Sequence, residues 1–82
     1  MSDEELLQRV VCDPKVMTGK PVVRGTRLTV EYVLKLLSQG WGLSDILGEY
    51  EGLVPEDIQA CLLFASKSLS NTSFMPLISE SV

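Results

Sequence analysis

The chain has 82 residues, 45% hydrophobic and 22% charged, with a net charge of −4 and no histidine. This describes one small domain, too apolar to stay unfolded and near the lower size limit for a self-sufficient core, so a homo-oligomer, a dimer above all, is expected. The acidic balance argues against a generic nucleic-acid binder, and the missing histidine removes the commonest general base and metal ligand.

The opening Met1-Ser2-Asp3-Glu4-Glu5 is acidic and lacks the plan of a signal peptide, and no apolar run has the length of a membrane span. A cytoplasmic protein is expected. Glu4 to Val11 fits a short helix through Leu6, Leu7, Val10 and Val11, or a strand through Val10-Val11-Cys12, and both readings stay open. Asp13-Pro14 closes the element, because the residue before proline avoids helical geometry. Cys12 and Cys61 sit in apolar runs without a Cys-x-x-Cys pattern, which predicts two buried free thiols.

The most informative stretch is Gly19 to Val30, which holds three of the seven basic residues. A Gly25-Thr26 pair between Val22-Val23 and Arg27-Leu28 suits a tight hairpin with glycine first in a type II′ turn. Arg24 and Arg27 would then face each other, a like-charge pair that either asks for an anion or an acidic partner or fans both side chains into solvent. Around them, residues 9–35 hold Arg9, Lys15, Lys20, Arg24, Arg27 and Lys35 against Asp13 and Glu31. From Leu36 onward Lys67 alone opposes Asp45, Glu49, Glu51, Glu56, Asp57 and Glu80. A basic first half and an acidic second half can steer a binding face or let copies stack.

A helix is predicted over Val30 to Gln39, with Thr29 as N-cap, Val30, Val33, Leu34 and Leu37 as its apolar stripe, and Gly40 as its stop. Ser44 is expected to cap a short helix ending near Tyr50, with Ile46, Leu47 and Tyr50 inward and Trp41 as a lid on the core. A third helix should open at Pro55 and run to Leu69, with Ile58, Cys61, Leu62, Ala65 and Leu69 on one face. Leu63 and Phe64 fall outside that face, so either the domain wraps this helix or a second chain covers it, and the short chain favours the second chain. Ser70-Asn71-Thr72-Ser73 reads as a polar linker before the apolar peptide Phe74-Met75-Pro76-Leu77-Ile78. That peptide is either a strap folded back on the domain or a segment that joins a partner. Residues 1–69 are thus one domain and 70–82 a linker and tail.

The fold class is mainly α, a helix-turn-helix-like three-helix unit with an N-terminal β-hairpin. Asp13-Pro14, Gly19-Lys20-Pro21, Val23-Arg24-Gly25-Thr26-Arg27, Val30 and Val33-Leu34 occur in an order that resembles a known family. So do Gly40, Trp41, Ile46-Leu47, Tyr50, Leu53, Pro55-Glu56-Asp57-Ile58 and Ala65. Over about residues 10–67 the chain resembles the domain-of-unknown-function 433 family, antitoxin-like small proteins of VapB type. The resemblance implies a homeodomain-like or winged-helix fold and a role as antitoxin to a PIN-like ribonuclease toxin. The chain departs from the pattern at Val54, where a Ser or Thr usually caps the last helix.

Two functions follow as expectations. As a protein-binding module, the chain would offer Lys15, Lys20, Arg24, Thr26 and Arg27 to the carboxylates of a nuclease site, since arginine pairs bidentately with carboxylate. Leu63, Phe64, Phe74, Met75, Leu77 and Ile78 would supply apolar contact to an oligomer or partner. As a DNA-binding autoregulator it would grip phosphates with the same basic residues, because Glu56, Asp57 and Gln59 at the start of the last helix suit neither phosphates nor guanine. Catalysis is not expected, since no acid–base pair or activated nucleophile can be assembled. Gly19-Lys20 lacks the remaining spacing of a phosphate loop. No cofactor or metal is expected.

Overall fold

The computed structural model describes residues 1–15 and 17–70. The ambiguity at Glu4 to Val11 resolves into both elements in turn. Helix α1 (Asp3–Leu7) starts at Ser2, whose hydroxyl accepts from the Glu5 N–H at 3.2 Å, while the Glu5 carboxylate accepts from the Ser2 N–H at 3.1 Å. This reciprocal cap satisfies two otherwise free backbone donors and holds the Glu5 carboxyl below its ordinary pKa. Strand β1 (Val10–Val11) follows, where β-branched residues favour extended backbone.

β1 pairs antiparallel with β2 (Val22–Val23), Val10 opposite Val23 and Val11 opposite Val22. Two-residue strands have little stability alone, but Val22 and Val23 are each 1% exposed and belong to the interior. An N-terminal antiparallel strand pair is therefore present, with partners other than those expected. Val22 meets the Arg27–Thr29 side only through an isolated bridge to Thr29. The tight Gly25-Thr26 turn does not form. The Val23 carbonyl accepts from the Thr26 N–H at 3.0 Å, which makes Arg24 and Gly25 the central pair. Gly25 has φ +81° at the third position, as a type II turn needs. Arg24 thus belongs to the turn itself and does not face Arg27 across it.

Helix α2 (Val30–Ser38) starts where predicted, with Thr29 Oγ1 accepting from the Tyr32 N–H at 3.0 Å, and Gly40 takes the left-handed φ of +95° beyond its end. Helix α3 (Leu43–Glu49) begins two residues earlier than expected. Gly42, rather than Ser44, is its N-cap, and the Asp45 carboxylate accepts from the Gly42 N–H at 2.7 Å. Helix α4 (Pro55–Ser70) starts at the predicted proline. The missing Ser or Thr at position 54 is compensated from inside the helix, where Asp57 Oδ2 accepts from the Val54 N–H at 3.0 Å.

α4 packs against α1, β1, α2 and α3 and so organises the domain. The core comprises Val23, Val30, Val33, Leu36, Ile46, Leu53, Ile58 and Cys61, with Trp41, Leu47, Tyr50 and Phe64 packed around it. The face of α4 differs from the expected one. Asp57, Ile58, Ala60 and Cys61 are buried, whereas Leu62 is 50% and Leu69 66% exposed. Leu63 and Phe64, left by the sequence to a wrapping domain or a second chain, are half-buried. Both cysteines are free, but only Cys61 is buried, since Cys12 lies just beyond the end of β1 and faces solvent.

Candidate binding loop

The loop between β2 and α2 is held from within. Thr26 Oγ1 donates to the Val23 carbonyl at 2.8 Å and accepts from the Leu28 N–H at 3.0 Å, so one hydroxyl closes the turn on both sides. The Val23 N–H donates to the Leu28 carbonyl and the Val30 N–H to the Pro21 carbonyl, each at 2.9 Å, which ties both ends of the loop to the core. Thr26 is therefore a scaffold for the neighbouring arginines.

Those arginines are exposed. Arg24 Nε donates to the Gln8 carbonyl at 2.8 Å, and its terminal nitrogens have no partner among the described residues. Its backbone N–H donates to the Arg9 carbonyl at 2.7 Å, setting Arg9 and Arg24 on adjacent strand ends. With Met1, Glu5 and Gln8 they line an open hollow of about 400 Å³. Arg27 has no hydrogen bond or ion pair among the described residues.

The predicted basic set does not converge on one point. Lys20 turns toward α2, where Nζ lies 3.2 Å from Glu31 Oε1 on the surface. Lys15 is exposed, with its backbone N–H donating to Asp13 Oδ1 at 2.9 Å. Arg9 was not foreseen as part of the site. Its Nη1 donates to Asp57 Oδ1 at 3.0 Å, across 48 residues of sequence. No local pattern signals that pair. The nearest hint was Asp57 directly before Ile58 of the expected apolar face of α4, since an aspartate buried beside that face demands a partner.

The apolar residues expected at an interface divide as well. Phe64 lines a groove of about 380 Å³ between α2 and the last turns of α4, with Pro21, Val30, Leu34, Ala65 and Leu69. Leu63 is not part of it. Phe74, Met75, Leu77 and Ile78 lie outside the described residues. Among the described residues no group of three or more Cys, Asp or Glu could hold a metal ion, and no helix is long and apolar enough to cross a membrane.

Residues 10–65 match the family described as "Protein of unknown function (DUF433)". A solved structure of a DUF433 member protein from Anabaena variabilis superposes with a TM-score of 0.73 at 25% identity. The alignment covers 82% of this chain and 66% of that one, so the chain spans just under two thirds of that relative's length. An uncharacterised protein of Archaeoglobus fulgidus is 56% identical over 25 residues, which are 30% of this chain and 69% of that protein. The family match spans most of the chain and includes the strand pair, the loop, α2, α3 and most of α4. The chain is a member of the DUF433 family.

Proposed function

We propose that this protein is the antitoxin of a type II toxin–antitoxin pair, and that it neutralises a PIN-like ribonuclease by presenting Arg24 and Arg27 to acidic groups of the toxin. In this reading α2, α3 and α4 are a homeodomain-like helix-turn-helix unit, and the strand pair with its loop is the wing. The observation that carries it is the pre-set state of the loop. Arg24 is anchored through Nε, its terminal nitrogens are open, and Arg27 is unpaired among the described residues. At Arg24, part of the ordering cost of a carboxylate contact is therefore already met by the fold. The acidic start of α4 supports protein over DNA as the ligand. Asp57 there is buried and engaged by Arg9 and Val54, so it has no part in reading bases, and Glu56 would repel phosphates.

The test is co-purification of the tagged chain with its native partner, with and without nuclease treatment, followed by Arg24→Glu/Arg27→Glu. A stoichiometric ribonuclease that survives nuclease treatment is the expected result. Losing two charge-assisted contacts, at roughly 1.5 kcal/mol each, weakens its affinity about a hundredfold. Recovery of DNA instead, with salt-sensitive binding lost in the same variant, gives the second reading, an autoregulator that grips phosphates with the basic loop.

A further inference from the structure

We infer that the apolar groove between α2 and the end of α4 is the seat of this chain's own segment Phe74 to Ile78. The groove is an open hollow of about 380 Å³ lined by described residues. Along α4, the stripe that buries Asp57 and Cys61 continues through Phe64 to Ser68, and Ile58 continues through Leu62 and Ala65 to Leu69. Each step is of three or four residues, so each row stays on one side of the helix. In the first half of α4 the domain covers both rows. Beyond Cys61 the cover thins: Phe64 and Ala65 are half-buried, and Leu69 is 66% exposed. The result is a carbon-lined trough floored by Val30, Leu34, Phe64 and Ala65. Its one charged wall residue, Glu31, already pairs with Lys20.

Length and chemistry name the occupant. Ser70, the last described residue, follows directly on Leu69 at the lip of the trough, and twelve residues of the chain lie beyond it. Asn71-Thr72-Ser73 are polar residues that suit a chain reversal, and they span at most about 10 Å. Phe74 can therefore return to the groove, whose wall along α4 from Phe64 to Leu69 is about 7.5 Å long. Pro76 opposes continuation of the helix, so the segment suits an extended strip laid along the trough. From Asn71 to Ser79 there is no charged residue. An uncharged apolar strip thus meets an apolar trough whose rim charge is already neutralised. Burying it removes Phe74, Leu77, Ile78, Leu69 and Phe64 from water together. This inference stands apart from the antitoxin reading, because it concerns the isolated chain.

The test uses the full chain with Cys12→Ser and Ser79→Cys, a nitroxide at position 79, and isotope-labelled methyl groups; buried Cys61 stays unlabelled. Methyl signals of Val30, Leu34 and Leu69 should broaden in dilute protein. They should stay sharp in a mixture where nitroxide and isotope are on different molecules. Absence of broadening in both samples overturns the inference. Broadening in the mixed sample alone overturns it too, by assigning the groove to a second copy. A second measurement avoids any risk to the core: Phe74→Ser/Leu77→Ser should raise binding of a hydrophobic dye several-fold with the helical content unchanged. Equal dye binding by both proteins means the groove stands open in the parent, available to a different protein, and also overturns it.

Discussion

The two halves of α4 are built from similar residues and live in different surroundings. From Pro55 to Cys61 the helix is walled in, with Ile58 at 4% and Ala60 and Cys61 at 0% exposure. From Leu62 to Ser70 its leucines reach water. The difference lies in the number of neighbours and owes little to composition. Arg9 reaches Asp57, and Ile58 and Cys61 join Leu36, Ile46 and Leu53 in the core, whereas among the described residues Leu62 and Leu69 keep 50% and 66% exposure. Hydrophobicity of a single helix therefore does not say which of its leucines stabilise the fold. Ile58→Ala should cost about 2–5 kcal/mol through lost burial and a residual cavity. Leu62→Ala should stay within about 0.5 kcal/mol, as for other surface changes. Urea unfolding of the two variants measures both, and equal losses would break the contrast.

The first half is also fastened by charge. Asp57 is 7% exposed, with one oxygen on Arg9 and the other on the Val54 N–H. Asp57→Ala should cost about 1–3 kcal/mol, below the range for a fully buried pair because Arg9 retains 33% of its side-chain exposure. Asp57→Asn keeps an acceptor for Val54 and should recover part of that loss. An Arg9→Met variant combined with each, followed by denaturation, separates the ion pair from the cap. A loss that is the same with and without Arg9 would assign the whole effect to the cap.

What could be read from the sequence was local. Thr29, the Val30-Val33-Leu34-Leu37 stripe, Gly40 and Pro55 mark helix limits through caps and backbone preferences that act within one or two turns. The pairing of Val10-Val11 with Val22-Val23 was not legible. It joins segments more than ten residues apart, and nothing in a valine pair names its partner. The nearby Gly25-Thr26 offered a hairpin of its own, yet burial of both faces of β2 favoured the more distant strand. The burial of Asp57 and the role of Arg9 were hidden for the same reason, since their meeting depends on how α1 and β1 lie against α4. At the candidate site the exposed arginines were visible as residue types. The Arg24 anchor on Gln8 and the Thr26 brace required the fold.

The loop offers a smaller test of the same lesson, that backbone constraint and side-chain contact are separate sources of order. Gly25 has φ +81°, and nothing within 4 Å would meet an added Cβ. Gly25→Ala should therefore cost about 1–2 kcal/mol through conformation alone. Gly25→Asn should cost less, because asparagine enters the left-handed region more readily. A loss much larger than this would reveal packing at the turn that the open space denies.

The finest contrast is between the two thiols, and it sharpens where the walled half of α4 ends. Cys61 is 0% exposed, and burial, followed by the nearby charge of Asp57, pushes its thiol pKa up to about 11 from 9.0. The folded state thus holds a proton that the unfolded chain releases first. Stability from this source is complete below pH 9 and is lost as pH rises through 9 toward about 11. Unfolding measured across that window for the parent and for Cys61→Ala should show a steeper alkaline decline in the parent, while lysine and tyrosine titrations cancel in the difference. Cys12, exposed at the end of β1, should react with a thiol reagent at the rate of an accessible cysteine, and Cys61 only at the rate at which the domain opens. Equal reactivity in folded protein would mean that α4 separates from the domain at Cys61, and the boundary between its two halves would then lie nearer Ile58.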